Sequence, residues 1–215
     1  MIRDFAMTYY PIHVDLTGKT CVVVGAGKVA ERKVMALVDC GAHVRVVAPS
    51  VTTVLRALAK SDQIVWMDAH YHSEHLEGAF LVIAATDQDH INEAVARDAQ
   101  TRNILVSRVD SPDDGNFITP AQVTRGDLVL TVSTSGASPT LSAVLREELE
   151  NSYGPEWSDM TSMMGTLRDL LKERNPTEDG RKSAVRGVLN DAGVRDAVRR
   201  GDLTEAEALA RQCLS

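Results

Sequence analysis

Short apolar, β-branched runs alternate along the chain with segments whose apolar positions recur at helical spacing. Thr20 to Val24 is one such run, and Gly18-Lys19 turns into it from a short expected strand, Pro11 to Leu16. Lys28 to Cys40 then carries Val29, Ala30, Val34, Ala36, Leu37 and Val38 mostly at helical spacing, and Gly41 supplies a stop. His43 to Ala48 is a second apolar run, closed by Pro49 and Ser50. Val51 to Lys60 reads as a helix, Ile64 to Met67 as a strand and His70 to Gly78 as a polar loop. Phe80 to Ala85 is the next strand, Asp89 to Arg102 a helix with Ile91, Ala94, Val95 and Ala99 on one face, and Ile104 to Val109 a fifth core strand. Uninterrupted apolar strands separated by amphipathic helices predict an α/β fold. Its core is a Rossmann-like, mainly parallel sheet with right-handed crossovers.

After Asp110 the period changes. Asp113-Asp114-Gly115 reads as a turn, and Asn116 to Ile118 and Asp127 to Val132 as strands joined through Thr124-Arg125-Gly126. A helix starts at Ser138-Pro139 and runs to about Ser152. Glu156 to Glu173, Arg181 to Leu189, Val194 to Arg199 and Glu205 to Cys213 all read helical, with a polar linker from Asn175 to Gly180. The expected division is a nucleotide-binding domain over 1–112, a small β-containing segment over 113–152 and a helical domain over 153–215.

Composition narrows the function classes. A formal net charge of −7 argues against broad affinity for nucleic acid or an anionic membrane, while leaving room for a local basic pocket. The three cysteines, Cys21, Cys40 and Cys213, make no metal-ligand spacing, and Cys21 reads as a reduced core thiol. Reduced thiols, an N-terminus without a secretion signal, and no apolar run of membrane-spanning length fit a cytoplasmic protein. His70, His72 and His75 cluster in the polar loop, but their spacing suits no zinc site, so a solvated loop is expected and no metal centre.

The chemistry concentrates on Val24-Gly25-Ala26-Gly27-Lys28-Val29-Ala30. An apolar run stops at a glycine loop, and the loop opens a helix. Gly25 permits a tight turn, Gly27 lets the backbone approach phosphates, and Ala30 allows close helix–strand packing. The free N–H groups and positive end of the helix then face an anion. A carboxylate for the ribose hydroxyls is missing after the second run, where Pro49 and Ser50 stand, and no arginine follows directly. This favours NAD over NADP, with Ser50 as a weaker ribose partner. Thr86 and Asp87 fall on the same carboxyl edge of the sheet, where ligands of open α/β sheets bind.

Two strings remain. In Val109-Asp110-Ser111-Pro112, Asp110 is either a general base at the nicotinamide end of the cleft or a structural Asp opening a turn. In Ser133-Thr134-Ser135-Gly136-Ala137-Ser138-Pro139, small hydroxyls and a glycine precede a helix, as a plain cap or as an anion site.

Together with Tyr10-Pro11-Ile12, Ala84-Ala85-Thr86-Asp87 and Phe117-Ile118-Thr119-Pro120-Ala121, these strings resemble the siroheme-synthase dehydrogenase/ferrochelatase family. They occur in the family's order and cover roughly residues 9 to 175. The resemblance implies an NAD-dependent precorrin-2 dehydrogenase, which in some members also inserts ferrous iron, a substrate, into sirohydrochlorin. It implies a Rossmann domain, a dimerisation segment and a helical C-terminal domain, with two chains interlocked as a homodimer and the tetrapyrrole near their interface. The family's catalytic aspartate falls on Asp110. Its NAD contacts fall on Gly25, Ala26, Gly27, and especially Lys28 and Val29, and on Pro49 and Ser50. A serine phosphorylated in some members falls on Thr134.

Precorrin-2 carries eight carboxylates. Thr134, Ser135, Gly136 and Ser138, through the turn that opens the helix, with Arg108 or Arg125, are the expected receivers for them. The chain departs from the family's common pattern at His13, at Ser107, where Asn is frequent, and at Arg108, where an apolar residue is common. Two other classes stay open: a nucleotide-sensing Rossmann domain without chemistry, and a chelatase or tetrapyrrole carrier without dehydrogenase activity.

Overall fold

The structure, a computed structural model, describes residues 9–111 and 114–214. Pro112 of the Asp110 motif, Asp113 of the following turn and the chain ends lie outside the described residues. The chain divides into two compact units, 1–119 and 120–215, so the boundary falls a few residues beyond 112. The segment after it groups with the C-terminal helices.

In the first unit, β1 (Thr20–Val24), β2 (His43–Val47), β3 (Ile64–Met67), β4 (Leu81–Ala84) and β5 (Leu105–Arg108) form one parallel sheet in the order β3-β2-β1-β4-β5. The order reverses between β1 and β4, which sets a ligand crevice at the carboxyl ends of those two strands. Alternation along each strand serves two layers. Cys21 and Val23 pack with Val34 and Leu37 of α1 (Lys28–Asp39) and Leu55 of α2 (Thr53–Lys60), while Val22 and Val24 pack with Val95 and Ala99 of α3 (Asp89–Thr101). Val22, Val23 and Val82 are fully buried, each contributing about 1.5–3 kcal/mol of transfer free energy. Burial raises the Cys21 thiol to about 11, so it is an inert core group. The helix starts follow their caps: the Thr52 hydroxyl accepts from the Leu55 N–H at 3.2 Å.

Two expected strands do not form. Pro11 to Leu16 has no regular structure and no strand pairing, with Leu16 alone buried. Asn116 to Ile118 is irregular because Asn116 uses its side chain to close the free edge of β5. Its Oδ1 accepts from the Val106 N–H at 2.7 Å and its Nδ2 donates to the Ile104 carbonyl at 3.1 Å.

In the second unit, β6 (Ala121–Arg125) pairs antiparallel with β7 (Leu128–Val132). The turn is Gly126-Asp127, with Gly126 at φ +56°, so the first strand of this hairpin begins later than its apolar pattern predicts. Then comes α4 (Pro139–Ser152), capped by Ser138, whose hydroxyl accepts from the Leu141 N–H at 3.2 Å. The expected long helix from Glu156 breaks at Leu167 into α5 (Glu156–Thr166) and α6 (Arg168–Arg174), and the wholly buried Leu167 turns into the core. α7 (Glu178–Asn190), α8 (Ala192–Arg199) and α9 (Leu203–Cys213) complete it, started by Thr177, Asp191 and Asp202 as side-chain caps. Met160, Met163, Leu167, Leu171, Val188, Val194 and Ala206 form its apolar centre. Among the described residues, no helix is long and apolar enough to cross a membrane.

Candidate active site

The crevice starts at the glycine loop. Gly25 has φ +106° and a Cβ there would press on the Ala85 carbonyl, so this position brings the ends of β1 and β4 together. Gly27 is the N-cap of α1, has no side-chain cap, and a Cβ on it would meet no atom within 4 Å. Backbone N–H groups therefore open onto empty space at a positive helix end, which fits the pyrophosphate of a dinucleotide. Lys28 and Val29 are exposed around that opening, whereas Ala30 is buried against the sheet. Glu31, one turn into α1, is buried. Its Oε1 pairs with Lys28 Nζ at 3.2 Å, while its Oε2 has no hydrogen-bond partner. Pro49 and Ser50 stand exposed beyond β2. Trp66, which the sequence reading did not single out, steadies that stretch by donating its indole N–H to the Ala48 carbonyl at 2.9 Å.

Across the reversal point, Thr86 is built into a knot. Its N–H and its hydroxyl both donate to Asn92 Oδ1, at 3.1 and 2.7 Å, and Asn92 Nδ2 returns a bond to the Thr86 carbonyl at 3.0 Å. Asp87 beside it is exposed. Asn92 is 1% exposed, a polar residue on the buried face of α3 with Val95, Ala96 and Ala99. Of the apolar face expected at Ile91, Ala94, Val95 and Ala99, Val95 and Ala99 are buried, and Asn92 and Ala96 take the places of Ile91 and Ala94. The signal for Asn92 was a polar position inside an apolar helical stripe.

The same Asn92 Nδ2 donates to Asp110 Oδ2 at 3.0 Å, so the Thr86 loop and Asp110 are joined through one amide. Arg108, the last residue of β5, is only 5% exposed and meets Asp110 as a fork: Nε to Oδ1 at 3.2 Å and Nη2 to Oδ2 at 3.0 Å. Its Nη1 donates to Asp114 at 2.6 Å and its Nη2 also to Asp89 at 2.5 Å. Asp89 and Asn92, three residues apart, share the side of α3 that meets the end of β5. Arg108 therefore departs from the expectation that it receives substrate carboxylates: it is buried and its donors are committed to three aspartates of its own chain.

The Arg108 hydrogen bonds hold the Asp110 carboxyl down at about 2, against the opposing effect of burial and with help from the Asn92 amide. The three aspartates push the Arg108 guanidinium above its usual value, the Asp110 bonds most of all. Folding thus lowers the Asp110 carboxyl from the ordinary value of about 3.9. The stability it contributes is fully present above that value and is lost as pH falls toward about 2. A carboxylate so weakly basic is ionised at neutral pH but poorly matched to taking a proton there.

In the second unit, Arg125 donates through Nε to the Tyr153 carbonyl at 2.9 Å and through Nη1 to the Thr124 carbonyl at 3.0 Å, tying β6 to the end of α4. Ser135 and Gly136 follow one another at φ +51° and +86°, which turns the chain sharply before α4. Thr134 is consumed inside this turn. Its hydroxyl accepts from the Ser138 N–H at 3.0 Å and lies 3.2 Å from the Ser142 hydroxyl.

The fold and loop define a dinucleotide-binding α/β protein. Residues 12–121 match the family described as "Putative NAD(P)-binding", and residues 125–152 match "Sirohaem biosynthesis protein central". Siroheme synthase 1 of Aeromonas salmonicida (strain A449) is 36% identical over 204 residues, 95% of this chain and 44% of that protein. Siroheme synthase of Neisseria meningitidis serogroup C (strain 053442) is 38% identical over 168 residues, 78% of this chain and 35% of that protein. The chain thus spans less than half the length of the curated relatives it matches. A solved structure described as "SirC, precorrin-2 dehydrogenase" superposes with a TM-score of 0.73 at 27% identity, covering 95% of this chain and 100% of that one. The chain belongs to the siroheme synthase N-terminal-type family, with an NAD(P)-binding domain followed by the central domain.

Proposed function

We propose that the chain oxidises precorrin-2 to sirohydrochlorin with NAD and that the same site inserts ferrous iron into sirohydrochlorin. The observation that carries this reading is Asp110: an anionic carboxylate held through Asn92 to the Thr86 loop, on the carboxyl edge of a dinucleotide-binding sheet. When bound, NAD supplies a nicotinamide ring that accepts the hydride. Gly25, Ala26 and Gly27, with the first turn of α1 at Lys28 and Val29, would hold the pyrophosphate. Pro49 and Ser50 would flank the adenosine ribose, and the lack of a carboxylate or arginine directly beyond β2 supports NAD over NADP. Thr86 and Asp87 would border the nicotinamide half, and Asp110 would face the macrocycle. The turn at Ser135, Gly136 and Ser138 offers backbone donors for substrate carboxylates, with Thr134 shaping that turn and Arg125 at the hairpin. For iron insertion the macrocycle's own nitrogens are the metal ligands.

Mixing purified protein with precorrin-2 and NAD, and following sirohydrochlorin and NADH by absorbance, tests the dehydrogenase. Conversion that depends on NAD is expected, and its absence would overturn the reading. Adding ferrous iron to sirohydrochlorin tests the second half separately.

The proposal includes a homodimer. No residue of α4 or β7 is fully buried within the chain, and Leu141 and Val144 on α4 are 49% and 47% exposed. α4 packs against the hairpin within the chain, yet its own Leu141 and Val144 remain open to solvent. A second copy would cover this outer face of α4 symmetrically, so each residue counts twice. Leu141→Glu with Val144→Glu is expected to weaken dimerisation by about 100-fold or more, read by sedimentation. An unchanged dimer would place the interface elsewhere.

A further inference from the structure

We propose that Arg108 is the positioning residue of Asp110, holding its carboxylate in a single bearing toward the substrate as a fixed anion. A buried guanidinium is costly to desolvate and is tolerated when its donors are matched. Here the matching is asymmetric. Asp89 and Asp114 have side chains 83% and 54% exposed and anchor Nη2 and Nη1, while Nε and Nη2 make the fork on Asp110 at the carboxyl end of β5. The guanidinium is planar and rigid, so two outer anchors set the direction of the fork. Asn92, itself locked by Thr86, adds a third bond to Asp110. The charged and polar groups that meet Asp110 are Arg108 from β5 and Asn92 from α3, with Asp89 from α3 and Asp114 from the following loop reaching it through Arg108. With a side chain 36% exposed, Asp110 still presents its charge to solvent while its orientation is set.

This rests on the dehydrogenase reading and changes what Asp110 does in it. One C–H bond of the substrate breaks and its electron pair leaves as hydride, forming a new C–H bond on the oxidised nicotinamide of NAD. A second N–H or C–H bond of the macrocycle then gives its proton to bulk water, and its electron pair closes the new double bond. Positive charge grows on the macrocycle as the hydride departs. Asp110 offsets that charge from a preorganised position and is not itself protonated.

The test uses Arg108→Met, Arg108→Lys and the unaltered chain. The readouts are the carboxyl titration of Asp110 by carbon NMR and the pH profiles of kcat and KM. The unaltered protein should show no Asp110 titration down to about pH 3 and no acid limb in kcat. In Arg108→Met the carboxyl midpoint should rise to about 3.9 or above, an acid limb should appear with it, and kcat should fall by about tenfold or more with KM for NAD unchanged. Arg108→Lys keeps the charge but not the fork, so kcat should fall without the acid limb. If Arg108→Met fails to fold, the lysine variant still decides. Full kcat per folded site in Arg108→Lys, or an unmoved pH profile in Arg108→Met, would overturn the proposal. An inactive unaltered protein whose Asp110 stays ionised to low pH would instead overturn the dehydrogenase reading alone.

Discussion

Asp110→Ala is expected to lower kcat for precorrin-2 oxidation by about 10²–10⁴-fold, the range seen when a preorganised charge or proton-handling group is removed. NAD affinity should change little, because the glycine loop lies at the ends of β1 and α1 and takes no part in the Asp110 bonds. Folding should survive. Arg108 would still have Asp89 and Asp114, so its buried charge is not left alone. Some stability is nonetheless lost at neutral pH, where the Asp110 pair is fully formed. Steady-state kinetics, NAD titration and thermal unfolding separate these effects. Full turnover with intact folding would remove Asp110 from the reaction without touching the family assignment.

Gly25→Ala is expected to cost on the order of 3 kcal/mol or more of folding stability and to abolish NAD binding. The position needs φ +106°, and the added Cβ would strike backbone, the Ala85 carbonyl, which no side-chain rotation can relieve. Gly27→Val is the informative contrast. Its φ is −74° and the space above it is open, so the fold should hold while the new side chain fills the phosphate cradle. NAD affinity should then fall by about tenfold or more at nearly unchanged denaturation midpoint. Equal loss of stability in both variants would mean the two glycines share one structural role.

Much of this is legible in the sequence. The β-branched runs at Thr20–Val24, His43–Val47 and Leu81–Ala84 announce parallel strands because a strand buried on both faces has no polar alternation to hide it. The glycine loop, the caps at Ser138 and Thr177, and the position of Asp110 after β5 are local signals, readable within a few residues. The first hairpin strand was displaced because Phe117-Ile118 is the apolar pair of that stretch, whereas the pairing closed by Gly126-Asp127 takes Ala121 to Arg125, including Thr124 and Arg125, which read as part of the turn. Only pairing geometry chooses between them. Asn116 read as a strand residue because its edge-closing bonds run to a chain segment ten residues away.

By itself, then, the sequence determined the α/β order, the dinucleotide loop and the carboxylate that stands at the crevice, since each depends on neighbours along the chain. The tertiary structure decided what surrounds that carboxylate. Arg108 looks in sequence like a free cation for an acidic ligand. The fold instead buries it among Asp89, Asp110 and Asp114, brought together from α3, the end of β5 and the loop beyond. Asn92 joins the same cluster from a helix face. Charge pairing depends on distance in space, and a residue nineteen positions away can be the nearest partner.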